Sequence, residues 1–346
     1  MENLKIYSDL YPDLILDIME FFSGKNLKKT NSGEECRTIK EFFEFHNDKH
    51  KNYYEAPPVQ PHELMHLCEK LCNLGCMGSM GKSLSALENK YFSTIKGDWF
   101  FKHYAIKKLI VQKYECAVYG FSYICNKFRS LVVPIIYYTH SGDFTIGTGF
   151  YYRNGIATAK HCLVGAKQIA VMNVSKEQLD AATIYVSENP NMDIAFIDLN
   201  KGVQELFGNV MLWTEGIPEV MDEVITMGYP KIPGFNHFQT VEKATISSIP
   251  QKKFTATTGE IAAIAEEIWM RENLFLITAK IKGGNSGGPV LNKYGEVVGV
   301  VSEITFAKGD YDDLGYGAAI PIKFLNEIAT TQPEILSGIN FVDYVE

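Results

Sequence analysis

Apolar positions in this chain change rhythm near residue 130. Before that point they recur at helical spacing. Leu10, Leu14, Ile15, Ile18, Phe21 and Phe22 line one face of a helix predicted over residues 9–22, with Gly24 beyond it as a stop. Similar spacing predicts a short helix over 37–45 and another over 62–74, the latter opened by Pro61 and ended by Gly75. Residues 75–97 are rich in Gly and Ser and read as a loop with a short helix. Residues 99–128 read as one long helix or two, with many aromatic side chains.

After residue 130 the apolar runs become short, β-branched or alternating. Strands are predicted over 131–138, 147–152, 168–173, 193–199, 223–227, 240–249, 275–281, 296–304 and 316–321. Turn sequences such as Arg153-Asn154-Gly155 and Lys293-Tyr294-Gly295 separate them. Many short strands at this spacing indicate a β-sandwich or a pair of barrels. Residues 260–270 and 322–329 read as short helices. The pattern divides the chain into an α-helical domain over 1–128 and a β domain over 129–346.

Charge narrows the functional classes. The formal net charge is −8: residues 1–128 hold 17 Lys and Arg against 16 Asp and Glu, and the remainder 16 against 25, or −9. Neither part has the clustered positive charge of a nucleic-acid binder. Asp9, Asp13, Asp17 and Glu20 interrupt the apolar N-terminal stretch, so it does not read as a secretory leader, and no run approaches a membrane span. The seven cysteines form no disulfide framework. Together these features predict a reduced, cytoplasmic protein without a membrane or nucleic-acid partner.

The densest chemical signal is Lys282-Gly283-Gly284-Asn285-Ser286-Gly287-Gly288-Pro289-Val290. Glycines on both sides of a serine suit a tight turn that presents one hydroxyl and lets a substrate carbonyl approach the backbone. A hydroxyl is a weak nucleophile and needs a base, itself oriented by a carboxylate. The candidate base is His161, at the end of Gly155-Ile156-Ala157-Thr158-Ala159-Lys160-His161-Cys162. The candidate carboxylate is Asp193, which precedes the alternating run Ile194-Ala195-Phe196-Ile197.

The order His161, Asp193, Ser286 and the turns around them resemble the chymotrypsin-fold, trypsin-like serine peptidases. Asp193-Ile194-Ala195, Gly284-Asn285-Ser286-Gly287-Gly288-Pro289, Gly295-Glu296-Val297-Val298-Gly299-Val300 and Gly317-Ala318-Ala319-Ile320-Pro321 are similar to motifs of the Deg/HtrA type, as is Gly147-Thr148-Gly149. The resemblance covers roughly residues 131–330. It implies a trypsin-like all-β double six-stranded barrel preceded by the α-helical N-terminal domain, and an intracellular serine endopeptidase acting on protein or peptide without a cofactor. Ser286 would then be the nucleophile, His161 the general base and Asp193 its orienting acid. The backbone N–H groups of Gly284 and Ser286 would form the oxyanion hole. Val301, Ser302 and Glu303 would pair with an extended substrate, and Lys280, six residues before the nucleophile, would lie at the specificity pocket and attract an acidic side chain. A shallow pocket for small aliphatic residues is the other option.

Some features depart from that pattern. Asn285 stands where secreted trypsin-like enzymes have an Asp that pairs with a freshly cut N-terminus, so activation by cleavage is not expected. Cys162 has no cysteine to pair with near residues 147–150, and the short stretch after the peptidase motifs sets the expectation of no C-terminal PDZ module. Regulation or partner recruitment would then fall to residues 1–128, to loops such as 251–271, or to assembly. Two other readings stand beside the peptidase. One is a protease fold kept as an interaction scaffold. The other is a zinc metallopeptidase at His62-Glu63-Leu64-Met65-His66, an HExxH that would set two imidazoles on one helix face. No downstream signature announces a third ligand, though Glu88 is conceivable, and with Cys68, Cys72 and Cys76 following, the segment reads more simply as an amphipathic helix with a packed cysteine stripe.

Overall fold

A computed structural model of the chain describes residues 8–23, 28–29, 35–51, 59–81, 83–95, 104–139, 144–200, 213–231, 254–267, 271–302 and 315–344. It divides into two units, Met1–Tyr123 and Ile124–Glu346. The sequence-based boundary at 128/129 falls at the end of a helix that the division cuts near its start.

The first unit contains α1 (Leu14–Phe22), β1 (Lys28–Lys29), β2 (Glu35–Thr38), α2 (Ile39–Lys49), α3 (Pro61–Asn73), β3 (Met77–Ser79), β4 (Lys90–Ser93) and α4 (Tyr104–Tyr119). Local sequence sets several helix starts. Thr38 and Glu41 form a reciprocal capping box that opens α2, and Pro61 occupies the first turn of α3, where its missing N–H costs nothing. Leu14, Ile15, Ile18 and Phe22 of α1, Phe42 of α2, and Leu64, Leu67, Cys68 and Leu71 of α3 are fully buried together. Cys68 and Cys76 belong to this packed core, and burial pushes the Cys76 thiol up to about 12, so both behave as apolar filler. The stretch read as a loop over 75–97 instead supplies β3 and β4, which join β1 and β2 in a four-stranded sheet. Its strands are too short for a period-two pattern to emerge from the Gly and Ser around them.

The helical run before residue 130 breaks at Gly120, whose φ of 78° ends α4 and precedes α5 (Phe121–Phe128). The second unit then continues with β5 (Val132–Thr139), β6 (Phe144–Tyr152), β7 (Gly155–Thr158), β8 (Ala166–Val171), α6 (Lys176–Asp180), β9 (Thr183–Val186), β10 (Ala195–Asp198), β11 (Thr214–Glu215), β12 (Glu223–Gly228), β13 (Thr255–Glu267), β14 (Glu272–Ile277), β15 (Pro289–Asn292), β16 (Glu296–Ser302), β17 (Gly317–Pro321), α7 (Ile322–Thr331) and β18 (Glu334–Ile335).

These strands make two lobes. In the second lobe β16 pairs with both β15 and β17, so the six strands β12 to β17 close into a barrel, with β11 added in parallel to β16. The first lobe is a sheet in the order β18-β9-β10-β7-β6-β5-β8, a half-barrel among the described residues. The C-terminal segment runs between its edge strands: β18 pairs with β9, while Asn340 O and the Val342 N–H bracket Ile169 of β8 at 2.9 Å each. The architecture is the trypsin-like two-barrel arrangement with a partly helical unit before it.

The helix expected over 260–270 is strand over its described part, 260–267. Ile261, Ile264 and the alanines fit a helical period, but β13 alternates in exposure from Thr255 to Ile261 and is sandwiched between β12 and β14. Ladder pairing overrides the helix propensity of Ala and Glu here. The strand expected over 240–249 lies outside the described residues.

Candidate active site

The site is built from strand ends. β7 is wholly buried and runs into a short 3₁₀ turn, Lys160–Cys162, which lifts the half-buried His161 off its end. Asp193 sits two residues before β10, the antiparallel neighbour of β7, so the pairing of Ala195 with Thr158 brings the two side chains to one edge. Asp193 Oδ1 accepts the His161 backbone N–H at 2.8 Å, and Oδ2 accepts from His161 Nδ1 at 2.8 Å. Ser302, the last residue of β16, donates its hydroxyl to the same Oδ2 at 2.9 Å. In the neutral ring these bonds place the proton on Nδ1 and the lone pair on Nε2. Burial disfavours the imidazolium, but the hydrogen bond to Asp193, with Cys162 and the Asp193 charge adding to it, outweighs burial and raises His161 well above its ordinary value of 6.5.

Ser286 lies in a turn held from several sides. The Asn285 N–H donates to Lys282 O at 3.0 Å and the Gly288 N–H to Asn285 O at 2.9 Å. Gly284 and Gly287 take φ of 100° and 86°, dihedrals that a side chain resists. Both glycines also face backbone. A Cβ on Gly284 would fall 2.6 Å from Tyr229 O, and one on Gly287 would fall 2.7 Å from Ala159 N, two residues before His161. Gly287 therefore presses the Ser286 turn directly onto the segment that carries the imidazole. The Cys162 thiol, next in sequence to His161, points at Ser286 O from 3.8 Å. Among the described residues, the Gly284 and Ser286 amides donate to no carbonyl.

Thr148 is the residue that sequence reasoning passed over. Fully buried, it accepts the Tyr229 N–H on Oγ1 at 3.0 Å and donates Oγ1–H to Gly284 O at 2.7 Å. Its own N–H donates to Ser286 O at 2.9 Å. The signal was the middle of Gly147-Thr148-Gly149, read as a motif of the lobe without a role for the hydroxyl. Among the described residues Asn285 Oδ1 is buried without a hydrogen-bond partner, so in this turn Thr148 supplies polar fixation that this oxygen does not.

Other expected site residues fare differently. Val301 was expected to pair with substrate, but its carbonyl accepts from Gly287 N at 2.7 Å and its N–H donates to Gly288 O at 2.8 Å. Both backbone groups hold the Ser286 turn, and the side chain is buried, so that expectation is corrected. Lys280 is exposed, its carbonyl accepting from Thr257 Oγ1 at 2.9 Å. Glu303 lies outside the described residues. The two histidines of the HExxH are both exposed, the His62 side chain 69% so.

Residues 147–300 match the family model described as a trypsin-like peptidase domain. A probable periplasmic serine endoprotease, DegP-like, of Buchnera aphidicola subsp. Baizongia pistaciae is 30% identical over 196 residues, covering 56% of this chain and 37% of that protein. The serine endoprotease DegS of Escherichia coli K12 is 27% identical over 188 residues, covering 53% of this chain and 47% of that protein. Residues 147–300 form a trypsin-like peptidase domain, and these relatives are of the Deg/HtrA type. Among solved structures, a serine endoprotease from Yersinia pestis is 22% identical with a TM-score of 0.41, over 61% of this chain and 65% of that one. The chain spans less than half the length of the curated relatives named here.

These relatives also correct the expected cytoplasmic setting, since DegP-like proteins matching the peptidase domain are named periplasmic. The expectation leaned on unpaired cysteines, and Cys162 shows why that was weak. It is fully buried beneath Gly147 and serves as packing, which says nothing about redox compartment.

Proposed function

We propose that this chain is a serine endopeptidase in which Ser286, His161 and Asp193 act as nucleophile, general base and orienting acid. The observation that carries the reading is the shared carboxylate oxygen of Asp193, which accepts from both His161 Nδ1 and Ser302 Oγ while Gly287 packs the serine turn onto the same strand end. His161 Nε2 takes the Ser286 proton as Oγ bonds to the scissile carbonyl carbon. The same proton then goes to the leaving amine as the C–N bond breaks, and water releases the acyl group by the reverse sequence. The Gly284 and Ser286 amides receive the developing oxyanion, a contribution of roughly 3–4 kcal/mol per donor in comparable sites.

Substrate would be an extended protein or peptide strand lying along the end of β16 at Ser302, with Lys280 offering a positive charge to an acidic side chain. Recruitment of a regulatory protein partner is assigned to the N-terminal unit, which has its own buried core. A fluorophosphonate probe tests the central reading. Labelling at Ser286 with peptide hydrolysis abolished in Ser286→Ala supports it, whereas hydrolysis that survives Ser286→Ala sinks it. The scaffold reading expects neither labelling nor hydrolysis. The metallopeptidase reading expects chelator-sensitive hydrolysis lost in Glu63→Gln, and the exposure of His62 and His66 argues against it.

A further inference from the structure

The N-terminal unit holds a second cluster of reactive side chains, unrelated to the peptidase site. Asp17 on α1 is fully buried, and His46 in the last turn of α2 is 2% exposed. His50, four residues on, caps that helix with its side chain 15% exposed. His46 Nδ1 lies 3.2 Å and His50 Nε2 2.8 Å from the same oxygen, Asp17 Oδ2. One ligand atom from each of the three residues lies within 4.8 Å of the others. The Lys49 ammonium sits on the other oxygen, Oδ1.

Two features make this more than a buried ion pair. First, the histidines present different ring nitrogens, Nδ1 and Nε2, to one point. The i, i+4 spacing sets the two rings side by side, centroids 4.4 Å apart and tilted by 51°, with one nitrogen of each toward Asp17 Oδ2. Ligands about 2.0–2.1 Å from a tetrahedral ion stand roughly 3.3 Å apart, and the two separations from Asp17 Oδ2, 3.2 and 2.8 Å, are close to that. Second, the cluster is rigid and shielded. Phe42 stacks on His46 at 5.5 Å, and the Tyr11 ring packs edge-on against both imidazoles at 5.0 and 5.8 Å. Among the described residues His46 Nε2 has no hydrogen-bond partner, and the polar contact of this imidazole is on its Nδ1 edge.

We propose that Asp17, His46 Nδ1 and His50 Nε2 form a binding site for a divalent transition metal of the zinc class, stapling α1 to α2. Two imidazoles and one carboxylate suit zinc or cobalt rather than calcium or magnesium, which take oxygen ligands. A fourth position falls to water. Lys49 is the built-in competitor. Its side chain is 41% exposed and can swing into solvent, exchanging an ammonium for a dication on the same carboxylate. Asp13 and Glu20, whose charges also act on Lys49, add negative field around the incoming ion. The role is structural and leaves the peptidase chemistry as proposed.

Cobalt(II) and zinc titrations of the full-length protein, stripped with chelator, test this. The site expects one cobalt per chain with a tetrahedral visible spectrum, displacement by zinc, and a zinc-dependent rise in the melting temperature of the N-terminal unit. His50→Gln should weaken binding roughly tenfold or more, since even residues that only support a ligand cost that much. Lys49→Met should tighten it. His62→Gln/His66→Gln should leave it unchanged. Wild type without cobalt absorbance overturns the proposal, as does unchanged binding in His50→Gln or loss of binding in the His62/His66 variant. If His50→Gln does not fold, Lys49→Met decides: affinity no tighter than wild type also overturns it.

Discussion

Gly147 and the thiol of Cys162 compete for one volume. A Cβ on Gly147 would overlap Cys162 Sγ, lie 3.2 Å from Cys162 Cβ and come within 3.7 Å of Ser286 O. The thiol, carried by the residue after His161, fills the space against Gly147 of β6 and reaches Ser286 O of the serine turn. Gly147→Ala is therefore expected to push Cys162 and Ser286 apart and to cost about 1–3 kcal/mol through overpacking. Melting temperature and kcat/KM should fall together. Adding Cys162→Ala removes the clashing sulfur and should recover most of both, a coupling that a double-mutant cycle measures.

The protonation of His161 sets a pH dependence with a definite sign. Its folded pKa lies above 6.5 because the Asp193 contact outweighs burial. The stabilisation from imidazolium against carboxylate is then fully present below 6.5 and is lost as pH rises through the folded value. Hydrolysis runs the other way, since the base must be neutral. The kcat/KM profile should rise on an alkaline limb displaced above 6.5. Asp193→Asn should move that limb down and lower the plateau by several orders of magnitude, because the imidazole loses both its charge partner and its fixed tautomer. A limb at or below 6.5 in the wild type would contradict the electrostatic account.

Ser302 offers a gentler probe of the same carboxylate. Its hydroxyl donates to Asp193 Oδ2 at 2.9 Å, a bond to a charged group worth about 1.5–3 kcal/mol. Ser302→Ala should keep the fold and lower kcat by roughly tenfold. It should also shift the alkaline limb upward, since the carboxylate has one donor fewer and holds the imidazolium more strongly. A merely structural role would reduce activity without moving the limb.

Much of this was legible in the sequence for physical reasons. The Ser286 turn stands out because glycines cluster where positive φ and backbone contact leave no alternative, as at Gly284 and Gly287. His161 and Asp193 are marked by short turns at the ends of apolar strands. What stayed hidden depends on distant pairing. The helix-like composition of 260–267 gives no hint of the two neighbours that make it β13. Val301 reads as a substrate edge until its partners turn out to be Gly287 and Gly288. The Asp17–His46–His50 cluster joins two helices, and the predicted end of α2 at residue 45 left both histidines outside it.

Thr148 is the sharpest test of how the serine turn is held. Its hydroxyl bridges Tyr229 N and Gly284 O, two backbone groups that are not neighbours in sequence. Thr148→Val preserves shape but leaves a buried donor and acceptor unmatched, at about 1–3 kcal/mol each. Thr148→Ser keeps the hydroxyl and gives up one buried methyl, about 1 kcal/mol. If the bridge fixes the Gly284 peptide for the oxyanion, Val should depress kcat by about ten- to a hundredfold, with little change in KM. Ser should stay within a few-fold of wild type despite its looser packing. Steady-state kinetics beside thermal melts separate these outcomes. Equal kcat losses in the two variants would mean that Thr148 contributes only volume, and the polar fixation of the turn would have to be sought elsewhere.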